Sequence, residues 1–339
     1  MNSAIFAQLT APVFGLPATL FWPYFAGAVA LTIGLVRLPI DEIRRADGVD
    51  KLLWLAPLLV AIAMAIFGAD HLTFTKFVAR IVPKYMPWRL FWAYFVGFAL
   101  LASALSLTTR IYWRLGATML GIMLLLFVVM MHIPNLIRLP HEAAVRTLLL
   151  RDTALGSGIL SFGLSRNREV GSKFGGLRLR LIAVTRFLLA IPVAIFGIEM
   201  LRNPVLAPGF PQDDPSFVIT LPGWVPAHAL WAYVTGAIFI ACAVGLIVKR
   251  YAHLAANTLG VTVLALQVLA YIPLTIRKAS DVTQGLNYFA IYCALSGAAF
   301  MMGGAVREGA EEKDTAGAVS YSRSKTPTQA NAAWMGHPE

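Results

Sequence analysis

Charge is scarce in this sequence. Asp, Glu, Lys and Arg together make up 13% of the 339 residues, against 58% hydrophobic residues, and the mean hydropathy is +0.70. That balance excludes an ordinary soluble globular domain and makes the bilayer the solvent to reason with. Cysteine is nearly absent. Cys242 and Cys293 both fall in apolar runs without metal-type spacing, so neither a disulfide framework nor a cysteine zinc site is expected. The soluble-enzyme signatures are missing as well: the chain contains no GxGxxG, GxxxxGKS or GxxxxGKT, GxSxG, HExxH or CxxC. Residues 1 to 36 carry no Lys or Arg, so the start lacks the positive region of a cleavable signal peptide and the first apolar run is expected to stay.

What the chain has instead is apolar runs near 20 residues, each able to cross about 30 Å of hydrocarbon as a helix. They lie at 17–36, 52–69, 90–108, 115–136, 145–164, 181–200, 229–248, 253–275 and 285–305. The expected fold is all-α, a polytopic transmembrane bundle of about nine spans. The fifth run is the weakest because Arg151 and Asp152 interrupt it, and a re-entrant or tilted segment is its alternative.

The net charge of +11 would suggest nucleic acid in a soluble protein. Here the Lys and Arg residues sit mainly in short loops between apolar runs, which reads as topology and lipid headgroup contact, with no nucleic-acid partner. With the N-terminus outside, seventeen of the 28 Lys and Arg fall on the inner side and ten on the outer side or its span ends, leaving Arg186 within a span. The positive-inside bias therefore predicts an inner or plasma membrane protein, N-terminus out and C-terminus cytoplasmic. Residues 306–339 are polar and lack apolar periodicity, so a disordered cytoplasmic tail is expected.

Sliding the chain against itself exposes a duplication. AIFGAD ending at Asp70 matches AIFGIE ending at Glu199, and VPKYMPWRLFWAYFVG (82–97) matches LPGWVPAHALWAYVTG (221–236). The second match continues through Gly121 with Gly260, Pro134 with Pro273 and Arg138 with Arg277. Composition can align apolar runs, but it does not align Pro, Gly, Trp and Arg in one register. The expected organisation is 1–51 as an N-terminal helix and loop, 52–164 as a first four-helix unit, 165–180 as a basic linker, and 181–305 as a second unit. Four spans return the chain to its starting side, so the two units should be parallel, related by an axis along the membrane normal.

The unit resembles the DoxX-like membrane family. The residues that carry the likeness are Phe67, Gly68 and Asp70 with Phe196, Gly197 and Glu199, then a Pro-flanked loop, WAY with a helical glycine, and a third helix closing at HIPNLI or YIPLTI. The likeness covers about 250 residues as two tandem copies. It implies a four-helix membrane protein of a kind that includes members associated with thiosulfate:quinone or quinol oxidoreductase complexes. A fused pair with an extra N-terminal helix departs from the single-unit pattern.

Candidate chemistry gathers at the outer helix ends. Asp70 and Glu199 occupy equivalent positions; ionisable groups at membrane depth usually face a bundle interior or water, while the plainer alternative is two helix ends in the headgroup zone. His71 and His132 are expected at similar depth, facing across the bundle with Asp70 between, as proton carriers, metal ligands or axial haem ligands. Interfacial histidines bonded to headgroups or backbone are the simpler alternative, and haem is disfavoured because no other His pair has a facing partner. Met200 and Tyr271 stand at the matching places in the second unit, which would assign any His chemistry to the first. Tyr94 and Tyr233 read as aromatic belt, with a quinone or lipid headgroup contact as the functional alternative. The leading expectation is the membrane component of a redox or quinone-linked system, with a redox partner subunit. The rivals are a transporter for a small solute or lipid and a non-catalytic scaffold.

Overall fold

The computed structural model describes residues 12–165, 175–204 and 227–325, with side chains through Ala310. The matches at 221–226, most of the basic linker and residues 326–339 lie outside them. The described chain is all-α, its one extended pairing an isolated bridge between Val13 and Leu16. Nine long helices follow: α1 Ala18–Val36, α2 Ala56–Thr73, α3 Arg89–Thr109, α4 Trp113–Phe127, α5 Ala143–Leu164, α6 Gly175–Arg202, α7 His228–Ile247, α8 Ala252–Leu266 and α9 Asn287–Lys325.

Eight of these, taken with their continuations, are long and apolar enough to cross a membrane, so the chain is a multi-pass membrane protein. The exception is α5. Its 22 residues rise about 33 Å, enough for a bilayer, but Arg146, Arg151 and Asp152 lower its hydropathy. Packing explains the deficit, because α5 lies against α4, α6 and α9 and therefore meets protein rather than lipid on three sides. The tail also differs from expectation: α9 runs on through the polar segment to Lys325. Ala, Glu, Lys and Arg are good helix formers, and a helix already nucleated in the membrane extends through them at little cost.

α4 and α8 each pass through a π-helical turn, Val128–His132 and Gln267–Tyr271, before a short terminal helix, Ile133–Arg138 and Ile272–Arg277. Proline is the local cause. Pro134 has no N–H for the carbonyl of Met130, and the widened turn relieves the ring clash. The freed Met130 oxygen accepts a hydrogen bond from the Tyr85 hydroxyl at 2.7 Å. All three segments of the α4 run recur 139 residues later, as do the left-handed residues Trp88 and Ala227 that precede α3 and α7.

The fourth helix of each half packs on the first helix of the other: α5 on α6, and α9 on α2. α5 and α9 also cross each other, and the crossing is close because of glycine. A Cβ on Gly158 would collide with the Ala298 carbonyl of α9; where α9 packs on α2, one on Gly297 would lie 2.8 Å from the Ala56 oxygen. Ends are fixed in parallel fashion too. Arg114 at the start of α4 donates to the Phe162 carbonyl at 3.2 Å and to Ser165 at the end of α5, while His253 in the same place on α8 donates to Gly303 O of α9 at 2.9 Å. α1 lies outside this arrangement, against α2 and α3.

Candidate functional site

A polar layer occupies the half of the bundle where α2, α4, α6 and α8 end and α5 and α9 begin. Asp70 comes from the last turn of α2. It is 8% exposed, and neither carboxylate oxygen has a hydrogen-bond partner. Its polar neighbour is the carboxamide of Asn287 at the start of α9, whose own Oδ1 is buried and unbonded. Among the described residues no cation pairs with Asp70, and the Asn287 amide, a neutral donor, only partly offsets the cost of holding a charge there.

His71 bonds to its own helix rather than to another side chain. Its Nδ1 is 2.8 Å from the Phe67 carbonyl; a carbonyl only accepts, so Nδ1 carries a proton. His132, at the end of the first π turn, instead meets Asp152 of α5, Nε2 to Oδ2 at 2.8 Å. Both side chains are largely buried, at 10% and 17% exposure. Asp152 is flanked by Arg151, with Nε at 3.9 Å, and its charge also reaches His71. The structure thus gives His132 a carboxylate partner in Asp152, a residue that hydropathy registers only as a flaw in the fifth span, and gives His71 a backbone partner in Phe67.

The second half places different chemistry at the same level. Tyr271, where the first half has His132, stacks on Tyr292 of α9 with ring centroids 3.5 Å apart and planes at 22°. Gln267 at the head of the same π turn is 2% exposed with neither amide atom bonded. Arg151 lies within electrostatic reach of Tyr292, which links the two groups. Glu199 has a partner that Asp70 lacks, the Arg146 Nε at 3.2 Å. The two acids, equivalent in sequence, are thus one salt-bridged and one unpaired.

Tyr94 and Tyr233 are also unlike. Tyr94 is buried, whereas Tyr233 is 45% exposed. Gly97, one turn after Tyr94, lies against His71 and Leu72, so Tyr94 is on the face of α3 turned to the polar layer. Among the described residues no three His, Cys, Asp or Glu side chains converge as metal ligands. What the layer can do is hold and pass protons: it offers an acid without an ion pair, an imidazole–carboxylate pair with a second imidazole in its field, and a buried phenol pair.

The fold and this layer define a multi-pass helical membrane protein with ionisable groups buried between its helices. No protein family, curated protein or solved structure matches the chain.

Proposed function

We propose that this chain is a DoxX-like integral membrane protein that handles protons as the membrane component of a redox or quinone-linked system. The observation that carries the reading is the contrast between Glu199, neutralised by Arg146, and Asp70, buried without a cation. An unpaired acid in a membrane interior is retained at a cost in stability, which is the usual mark of function. Asp70 takes up the proton; His71 and the His132–Asp152 pair exchange it with the layer. The recurrence of whole segments at a spacing of 139 residues supports two parallel copies of one unit. The positive charge bias supports an N-terminus outside and a cytoplasmic C-terminus in an inner or plasma membrane.

The test is purification from the membrane with any co-purifying subunit, followed by quinone extraction and an assay of quinol-linked turnover. Asp70→Asn and His132→Ala should lower turnover at least tenfold and Glu199→Gln by less than threefold. Absence of quinone, partner and turnover, or equal effects of the three changes, removes the reading. A transporter is second, because it requires Asp70 and Glu199 to act together and each has a separate neighbour. Liposome flux unchanged in the Asp70→Asn, Glu199→Gln double variant removes it.

A further inference from the structure

α1 repeats the start of α3. Leu20–Gly27 reads LFWPYFAG and Leu90–Gly97 reads LFWAYFVG, identical at six of eight positions. The aromatic side chains are arranged alike: Phe21 stacks on Phe25 at 5.5 Å and 13°, and Phe91 on Phe95 at 6.0 Å and 23°. Trp22 meets Phe25 edge-on at 5.9 Å, as Trp92 meets Phe95 at 5.8 Å. Both helices lean on α2 through glycine. Gly97 sits over Leu72 and His71, while Gly27 and Gly34 sit over Ile66 and Leu58.

α1 and α3 leave a gap over the strip of α2 between them, although its floor residues Ala65 and Ala69 are only 3% and 5% exposed. The gap is a cleft of about 330 Å³ walled by α1, α2 and α3, with Ala26, Ala30, Ala65, Ala69 and Ala104 making it roomy. Its lining on α1 runs from Trp22 to Ile33, about 16 Å of helix rise. The two hydroxyls in its wall are already committed, Thr73 to Ala69 O at 2.9 Å and Thr108 to Ala104 O at 2.9 Å. Phe25 and Leu105 at its rim are half exposed, so it opens sideways.

The remaining side-chain donor of the lining, Trp22 Nε1, is buried without a partner; one donor cannot hold ordered water, which needs two to four polar partners, and left empty the walls would lose their contacts. All three walls are membrane-crossing helices, so the opening faces hydrocarbon. We infer that the cleft binds one acyl chain of a bilayer phospholipid, lying along the helices as a fixed wedge between α1 and α3. This inference goes beyond the proton-handling reading and stands without it.

Native mass spectrometry of the full chain, extracted in mild detergent from phosphatidylcholine vesicles, tests it. The wild type should retain one phospholipid through detergent exchange. Ala69→Phe, which fills the cleft from α2, and Ala26→Phe, which fills it from α1, should each lower that occupancy at least fivefold. Vesicles with brominated acyl chains give a second measure: quenching of tryptophan fluorescence should fall in Trp22→Phe by more than in Trp231→Phe, a tryptophan on the open lipid face. A wild type that retains no lipid, filled variants that retain as much as the wild type, a retained isoprenoid in place of a phospholipid, or equal quenching losses would each overturn the inference.

Discussion

Asp70→Asn and Glu199→Gln each delete one negative charge from matching places, yet they should move stability in opposite directions. Glu199 is bridged to Arg146 at 3.2 Å, with side-chain exposures of 16% and 32%. Breaking a fully buried pair costs about 3–5 kcal/mol and a surface pair about 0–1 kcal/mol; this half-buried pair lies between, near ~1–2 kcal/mol. Asp70 loses no ion pair when it becomes Asn. A buried polar group without a partner costs about 1–3 kcal/mol, and an amide facing the Asn287 amide can both donate and accept, so a gain of ~1 kcal/mol is expected. For a chain of this size 1 kcal/mol is worth roughly 2 °C in Tm. Thermal unfolding of the purified protein in detergent, followed by circular dichroism, should therefore show Glu199→Gln lower by about 2–4 °C and Asp70→Asn higher by about 2 °C. If Asp70→Asn falls as far as Glu199→Gln, Asp70 has an ionic partner and its role is structural.

The crossing of α5 and α9 gives a second contrast. Gly158→Ala drives a methyl into the Ala298 carbonyl and should cost about 2–3 kcal/mol by overpacking, whereas Gly304→Ala, with nothing within 4 Å, should be neutral or gain up to ~1 kcal/mol of helix propensity; both are read from detergent unfolding. Tyr85→Phe removes the donor to Met130 O and should cost about 1 kcal/mol while speeding amide exchange around Pro134, seen by hydrogen-exchange mass spectrometry. A double-mutant cycle of His132→Ala and Asp152→Ala should return a coupling of about 1–3 kcal/mol. A coupling near zero would mean the 2.8 Å contact contributes nothing.

Much of the bundle is legible in the order of residues because hydropathy and small-residue spacing report what a helix can bury. Asp70 and Glu199 stand out as acids at helix ends, and Pro134 and Pro273 mark where two helices widen. What a helix faces is a different quantity. Asp152 looks like damage to a span until the end of α4 brings His132 against it, and Arg146 looks like a charge at a span end until α6 brings Glu199. The rotation of α5 about its axis, which decides both pairings, is constrained by close contacts at Gly156 and Gly163 with α4 and at Gly158 with α9, and the charges themselves do not reveal it. A signal was present in retrospect: three charges in one otherwise apolar run, spaced near the ends of facing helices that carry opposite charge or imidazole. The helical continuation to Lys325 was hidden for another reason, since composition weighs burial and this segment is helical through backbone propensity.

The exchange of fourth helices between the two halves also orders the chain's assembly. α9 leaves the ribosome after the eight helices described before it, and it is the one that seats against Ala56 and Val60 of α2, which is made well ahead of it. Until it arrives, the α2 flank beside Gly297 has only lipid to meet and Asp70 has no Asn287 before it. The first half is therefore synthesised early and finished late, so a chain cut short after α8 would present the bilayer with an open seam and an unshielded acid, a defect that membrane quality control can recognise.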